Sequence, residues 1–261
     1  MSSVPSEWEA NLNGNDVQAR PKRGLVSRVL EPALRLWLRS QTEALERLEV
    51  YLDSGDRQIL SGHIPQVRLL AHKAVYQGLH LSQVQLCAHN LRINIGQILK
   101  GKPLQLLEPV SVTLEVQLQA ADVQASLRSA LLEGAILETL QRLVGEQIAV
   151  ALDADTIPQA LTLSNSQIVL GDGCLRLSTQ VIAKERSIPV ALQTGLGLSN
   201  PNTLVLTNPE WLPTPQAKKG LRLRELDGYT LDLGPQVQFE SFLITADGIY
   251  GQGQLTIFPG E

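Results

Sequence analysis

A change of period within residues 108–144 constrains this chain more than any other feature. Val110, Val112, Leu114, Val116 and Leu118 alternate with Ser111, Thr113, Glu115, Gln117 and Gln119, so a strand built from them has one apolar and one wet face. From Asp122 onward the apolar residues recur every three or four positions, first Val123, Leu127 and Ala130, then Leu132, Ile136, Leu140 and Leu143. At about 100° per residue the first helical set points roughly opposite to the second, so one straight helix cannot bury both against one wall. A break is expected near Ser129, whose short hydroxyl suits the N-cap of a second helix. That second helix is apolar around more than half of its circumference, with Glu138, Gln141 and Arg142 confined to a narrow strip. It needs cover on several sides. The expected cover is a long curved antiparallel β-sheet wrapped around a central helix, an α+β fold.

Composition narrows what such a fold contains. Apolar residues make up 43% of the 261 but aromatic residues only 4%, so the interior is built from Leu, Val and Ile. An aliphatic interior suits acyl chains, and it suits an ordinary core as well. The net charge of −4 argues against nucleic acid as a partner, because phosphate contacts need a concentrated basic surface. Cys87 and Cys174 lie far apart without CxxC spacing, which reads as neither a zinc ribbon nor a disulfide framework and fits a reducing compartment. No run of eighteen apolar residues occurs, so an ordinary transmembrane helix is not expected. Residues 1–23 are polar, carry Pro5 and Pro21 and lack the apolar segment of a secretory signal. They read as a flexible tail before a single domain spanning 24–259, on a protein expected in the cytoplasm and peripheral to the inner face of a membrane.

The first ordered element is expected over residues 25–45. On a helical wheel Val26, Val29, Leu30, Ala33, Leu34, Trp37 and Ala44 share one side, and Arg28, Arg35 and Arg39 form a stripe opposite. Pro32 must either kink this helix or open a shorter one. Between Arg20 and Arg39 six basic residues face one acid, Glu31, a local charge of +5 on an acidic chain. Arg28, Arg35, Trp37 and Arg39 are therefore candidates for docking on an anionic membrane, where each basic residue contributes roughly 1 kcal/mol. A helix packed on the sheet with a solvated arginine face accounts for the same pattern.

Short strands follow. Leu48, Val50 and Leu52 alternate with polar residues, Ser54-Gly55-Asp56 is expected to turn the chain into a strand at 58–60, and Val67, Leu69 and Ala71 continue the series. Val84, Leu86 and Ala88 precede Leu91, Ile93 and Ile95, with a turn expected at His89-Asn90 where the parity flips; residues 96–100 read as a short helix. All four histidines, His63, His72, His80 and His89, fall in this half. None forms an i, i+4 pair, and only Cys87 and His89 can share a strand face, two ligands where structural zinc takes four. No metal and no cofactor is expected.

Beyond the central helix Ile148, Val150 and Leu152 read as a strand and 153–158 as a turn-rich interruption. Ile168–Leu170 and Leu175–Val181 flank Gly171-Asp172-Gly173, the clearest hairpin turn in the chain. Gly195 and Gly197 suggest a bulge or an edge rather than a phosphate loop. Residues 208–216, with three prolines around Trp211, read as loop, and Lys218, Lys219, Arg222 and Arg224 form a second basic cluster beside it, which a solvated edge strand would explain. Strands at 231–233, 237–244 and 255–257 complete the sheet. The βαβ alternation of a parallel sheet is absent.

Four strings carry a resemblance: Leu34-Arg35-Leu36-Trp37-Leu38-Arg39-Ser40-Gln41, Asp56-Arg57-Gln58-Ile59-Leu60-Ser61-Gly62, Ala74-Val75-Tyr76-Gln77-Gly78-Leu79 and Gly101-Lys102-Pro103-Leu104. With them the chain resembles, from about residue 25 to 259, the LmeA-like phospholipid-binding family in the form found in photosynthetic bacteria. That family is similar to the tubular lipid-binding proteins, in which a sheet wraps a long helix and leaves an apolar groove. The resemblance implies binding of a phospholipid or other acyl-chain lipid, or its transfer between membranes. Characterised relatives resemble exported envelope proteins, from which this chain departs in lacking an export signal.

On that expectation Val112, Leu114, Val116 and Leu118 of the strand and Leu132, Ile136, Leu140 and Leu143 of the helix line the groove, with Arg or Lys at its mouth. Each buried CH₂ contributes about 0.8 kcal/mol, so acyl chains can be held with no motif at all. Plain core packing would use the same residues. No catalytic residue is assigned: the nearest approach to GxSxG, Gly197-Leu198-Ser199-Asn200-Pro201, ends in proline and leads into no helix. A protein-interaction scaffold with a closed core and, behind it, a lipid-modifying enzyme are the alternatives.

Overall fold

The computed structural model describes residues 25–53, 56–151, 161–183 and 186–259. The expected tail at 1–23 and the turn-rich stretch at 153–158 lie outside them. The first half runs α1 (Leu25–Ser40), β1 (Ala44–Asp53), α2 (Asp56–Leu60), β2 (His63–Tyr76), β3 (Leu79–Arg92), α3 (Ile95–Ile98) and β4 (Val110–Gln119). Two helices follow, α4 (Ala120–Ser126) and α5 (Ala130–Ala151). The second half holds β5 (Thr162–Gly171), β6 (Cys174–Ala183), β7 (Arg186–Asn200), β8 (Thr203–Trp211), β9 (Leu221–Arg222), a 3₁₀ turn (Arg224–Leu226), β10 (Thr230–Asp232), β11 (Val237–Ile244) and β12 (Gly248–Ile257).

The strands build two antiparallel sheets where one was expected. The first has the order β1-β2-β3-β4-β12-β11; the second has β10-β8-β7-β6-β5, with β9 on the outer side of β8. The last hairpin crosses back to the first half, where β12 pairs with β4 from Gly248 opposite Gln119 to Ile257 opposite Val110. Neither sheet closes on itself. Three apolar cores result. In the first, α1 lays Leu30 and Leu34 over Leu48, Val50, Val67, Ala88, Val110 and Val112. In the second, α5 lays Ile136, Leu137 and Leu140 over Leu161, Val181, Val190 and Trp211. The third sits at the junction, where Val123 of α4 meets Leu118, Ile244 and Ile249 from the first sheet and Ile168, Leu170 and Leu175 from the second.

Ser129 separates α4 from α5, and its hydroxyl accepts the Leu132 N–H at 3.2 Å, the N-cap geometry. The change of helical face is thereby real: Val123 serves the junction and Leu140 the second sheet.

Several local expectations are corrected. Residues 58–60 form the end of α2, not a strand; three residues are too few for alternation to exclude one helical turn, and Ile59 is fully buried beneath α1. Gly62, at φ 79°, ends that turn, with its N–H bonded to Ile59 C=O at 2.8 Å. His89-Asn90 is no turn. Both residues lie inside β3, and the positive φ of Asn90, 56°, lets Ala88 and Leu91 reach the same core three positions apart. Ile148 and Val150 continue α5, because Leu140, Val144, Ile148 and Ala151 extend the helical spacing that a local alternation obscures. The first helix stops at Ser40, so Ala44 belongs to β1, and β8 extends to Trp211 through residues expected as loop.

Candidate functional site

The pleat of the first sheet sets two rows of side chains on its inner face. One row runs Leu48, Ala71, Val84, Val116, Gly251, Phe242; the next runs Val50, Leu69, Leu86, Leu114, Gly253, Phe239. At the β1 side Leu48 and Val50 are buried under α1, and Leu69, Ala71 and Leu86 pack against the same core. Further across, Val84, Leu114, Val116 and Phe239 are only half-buried and join none of the three cores among the described residues. They form an apolar strip on the sheet between the α1 core, which reaches Val112, and the junction core, which begins at Leu118. Those two positions lie six residues apart on β4, about 20 Å of strand.

Two glycines shape its far wall. A Cβ on Gly251 would stand 2.6 Å from Phe239 Cε1 and 3.1 Å from Val116 Cγ1, so the missing side chain is what lets the Phe239 ring lie across β12. That ring meets Phe242 edge-on with centroids 6.2 Å apart, a favourable arrangement.

The junction that bounds the strip is pinned by polar contacts. Asp122, in the first turn of α4, takes a hydrogen bond from Ser82 and an ion pair from Lys73 Nζ at 2.9 Å. Burial pushes its carboxyl up, but Ser82, then Lys73 and the charge of His80 outweigh burial and hold the pKa below the usual carboxylate value. Ser82 Oγ also accepts the Gln119 N–H at 2.6 Å. Two residues on, the Gln124 carboxamide reaches the second sheet: its Nε2 donates to Ser166 C=O at 2.9 Å and its Oε1 accepts from Ile168 N–H at 2.8 Å. A side chain thus stands in for a neighbouring strand along this part of β5.

The eight expected lining residues fall in different places. Leu114 and Val116 lie in the strip, Val112 in the α1 core and Leu118 in the junction core. Ile136 and Leu140 pack on the second sheet, Leu132 is half-buried and the Leu143 side chain lies outside the described ones. Strand β4 and helix α5 therefore serve different sheets. Val84, Phe239, Gly251 and Gly253 were not among the expected lining residues, although Gly251-Gln252-Gly253 puts glycine where apolar side chains would alternate.

Of the expected docking residues, Arg35 and Arg39 are exposed, Arg35 lying 3.7 Å from Glu31. Trp37 packs against the α1 core, whereas Leu36 between them is 72% exposed. The Arg28 side chain lies outside the described ones. Among the described residues no helix is long and apolar enough to cross a membrane, and no three His, Cys, Asp or Glu side chains converge as metal ligands would. Cys87 Sγ and His89 Nε2 approach to 3.5 Å on one strand face.

Two clefts lie off the strip. One, of about 220 Å³, runs beneath the proline-rich loop and is lined by Gln167, Ser178, Gln180, Trp211, Pro213 and Pro215 among others. The other, of about 360 Å³, is bordered by Glu46, Arg47, His72, Lys73, Gln83 and Gln117. The first mixes these polar groups with Val190, Ala191 and Leu212, and the second is lined by polar and charged side chains alone.

A family model described as LmeA-like phospholipid-binding matches residues 22–254. Searches against curated proteins and against solved structures find no match.

Proposed function

We propose, starting from the fact that the chain belongs to the LmeA-like phospholipid-binding family, that it holds phospholipid acyl chains along the open apolar strip of the first sheet and does so without catalysis. One observation carries this: Val84, Leu114, Val116 and Phe239 are aliphatic or aromatic, face inward, and are left half-covered between two packed cores. An apolar surface flanked by cores on the same sheet face is where hydrocarbon adds burial that the protein's own side chains do not supply. Ten methylenes laid on it would contribute about 8 kcal/mol before ordering costs. The groove of this proposal is thus bounded by α1 and α4, and α5 covers the second sheet.

Docking on an anionic membrane is the second part of the proposal. Arg35 and Arg39 are exposed on α1 with Leu36 exposed beside them, and helical spacing in the sequence adds Arg28 to the same stripe, so lipid headgroups meet the cations while Leu36 enters the acyl boundary. Trp37 holds α1 on the sheet. The inner leaflet, facing the cytoplasm, is the proposed location, which membrane fractionation of cells checks.

Native mass spectrometry of gently purified protein tests the groove. We expect a phospholipid adduct in the wild type and its loss in Leu114→Trp and Val116→Trp, with circular dichroism unchanged. An adduct that survives both substitutions, or no adduct in the wild type, would overturn the assignment.

A further inference from the structure

The second basic cluster, at residues 218–224, is left unused by the groove and by α1. In β9 Leu221 pairs directly with Trp211 of β8, so the two side chains lie on one face. Trp211 packs against the α5 core, and Leu221 continues that apolar face past the sheet edge, where it is 73% exposed, the most of any large apolar side chain among the described residues. Lys218, Lys219 and Arg224 flank it, are exposed, and form no ion pair among the described residues. Of the nearby acids, Glu210 accepts the Gly220 N–H at 3.1 Å and Asp227 pairs with Arg222 at 3.4 Å, leaving Glu225 exposed. An exposed leucine beside a half-buried tryptophan, ringed by unpaired cations, has the chemistry of an anionic lipid surface: apolar tips for the acyl boundary and ammonium groups for phosphates. Nucleic acid would want aromatic stacking faces, and the apolar tip here is a leucine.

Position makes this more than a second copy of the α1 contact. The α1 core lies at the Val110–Val112 end of β4 and the junction core at its Leu118 end. In the second sheet the junction takes Ile168, Leu170 and Leu175 on β5 and β6, and Leu161 and Val181 lie at the other end under α5; Trp211 stands in the row Ile168-Leu177-Leu192-Trp211, so Leu221 beyond it lies at the outer edge of the sheet, four strands across from β5. Each basic patch thus sits on its own sheet and apart from the shared junction, α1 at the far end of β4 and residues 218–224 along the sheet edge opposite β5. We infer that residues 218–224 form a second contact for anionic membranes, so that one molecule engages two bilayers, one through α1 and one through Leu221 and its lysines. This inference rests on the proposed docking of α1 but not on the groove.

Clustering of anionic vesicles, read by light scattering beside flotation, tests it. We expect the wild type both to float with phosphatidylglycerol-containing vesicles and to cluster them, and to do neither with phosphatidylcholine vesicles. Leu221→Asp combined with Lys218→Ala, Lys219→Ala and Arg224→Ala should abolish clustering yet still float through α1. Clustering by the variant, no clustering by the wild type, or loss of flotation together with clustering would each overturn two-ended contact. The last outcome would make the two patches one surface. Because L221D alone is an edge substitution, an unchanged melting transition and an unchanged phospholipid adduct in the mass spectrum establish that the fold and the groove are intact.

Discussion

At the scale of single residues, Asp122 links the chain's electrostatics to its stability. Its pKa is lowered in the folded protein, so its contribution is fully present above the ordinary value near 3.8 and is lost as pH falls through the lower folded value. Hydrogen bonds to a charged group are worth about 1.5–3 kcal/mol, and Ser82 and Lys73 both serve this carboxylate. Asp122→Asn should therefore lower stability at pH 7 by about 2 kcal/mol, and the difference from wild type should shrink as pH drops below 4, as urea unfolding at a series of pH values would show. A constant difference across that range would assign the loss to packing. None of this was visible in sequence, since Lys73, Ser82 and Asp122 are neighbours only because β2, β3 and α4 meet. Gln124 teaches the same lesson. Nothing in Val123-Gln124-Ala125 marks its carboxamide as the partner of β5.

Secondary-structure elements were more legible where the periodic pattern was long. The strand at 110–118 and the helix beginning after Ser129 stand where alternation and three-four spacing put them. Capping chemistry also transferred, because an N-cap depends on only four consecutive residues. Replacing Ser129 with Ala removes the bond to Leu132 N–H and should destabilise the protein by about 1 kcal/mol, with Ser129→Asp restoring most of it in chemical denaturation; equal loss in both would mean that the buried hydroxyl matters for packing instead. Short apolar runs misled. Ile59 and Ile148 each look like strand residues over three to five positions, and it is burial against α1 in one case and the length of α5 in the other that makes them helical.

For the whole molecule, the segment at 108–144 does organise the chain, as a bridge more than as a wrapped rod: β4 belongs to the first sheet, α4 to the junction and α5 to the second sheet. Such an arrangement makes the two halves cooperate through a small apolar contact. Val123 is 4% exposed at its centre, and a buried unpaired charge there is costly. Val123→Asp should split one unfolding transition into two, resolved by fluorescence of Trp37 on the first sheet and Trp211 on the second in variants that keep one tryptophan each; coincident curves would show that the halves hold together by other means. The sequence by itself determined the antiparallel class, the long helical and strand segments, the family and the basic character of α1, because each depends on local period or on strings of consecutive residues. Only the tertiary structure decided that there are two sheets, that β4 and α5 part company, and that Leu114 and Val116 stay half-open while Val112 and Leu118 are buried. Those four valines and leucines share one strand face and one chemistry; which of them is covered depends on helices that arrive from more than seventy residues before the strand and from just after it, and no period along the strand records where those helices land.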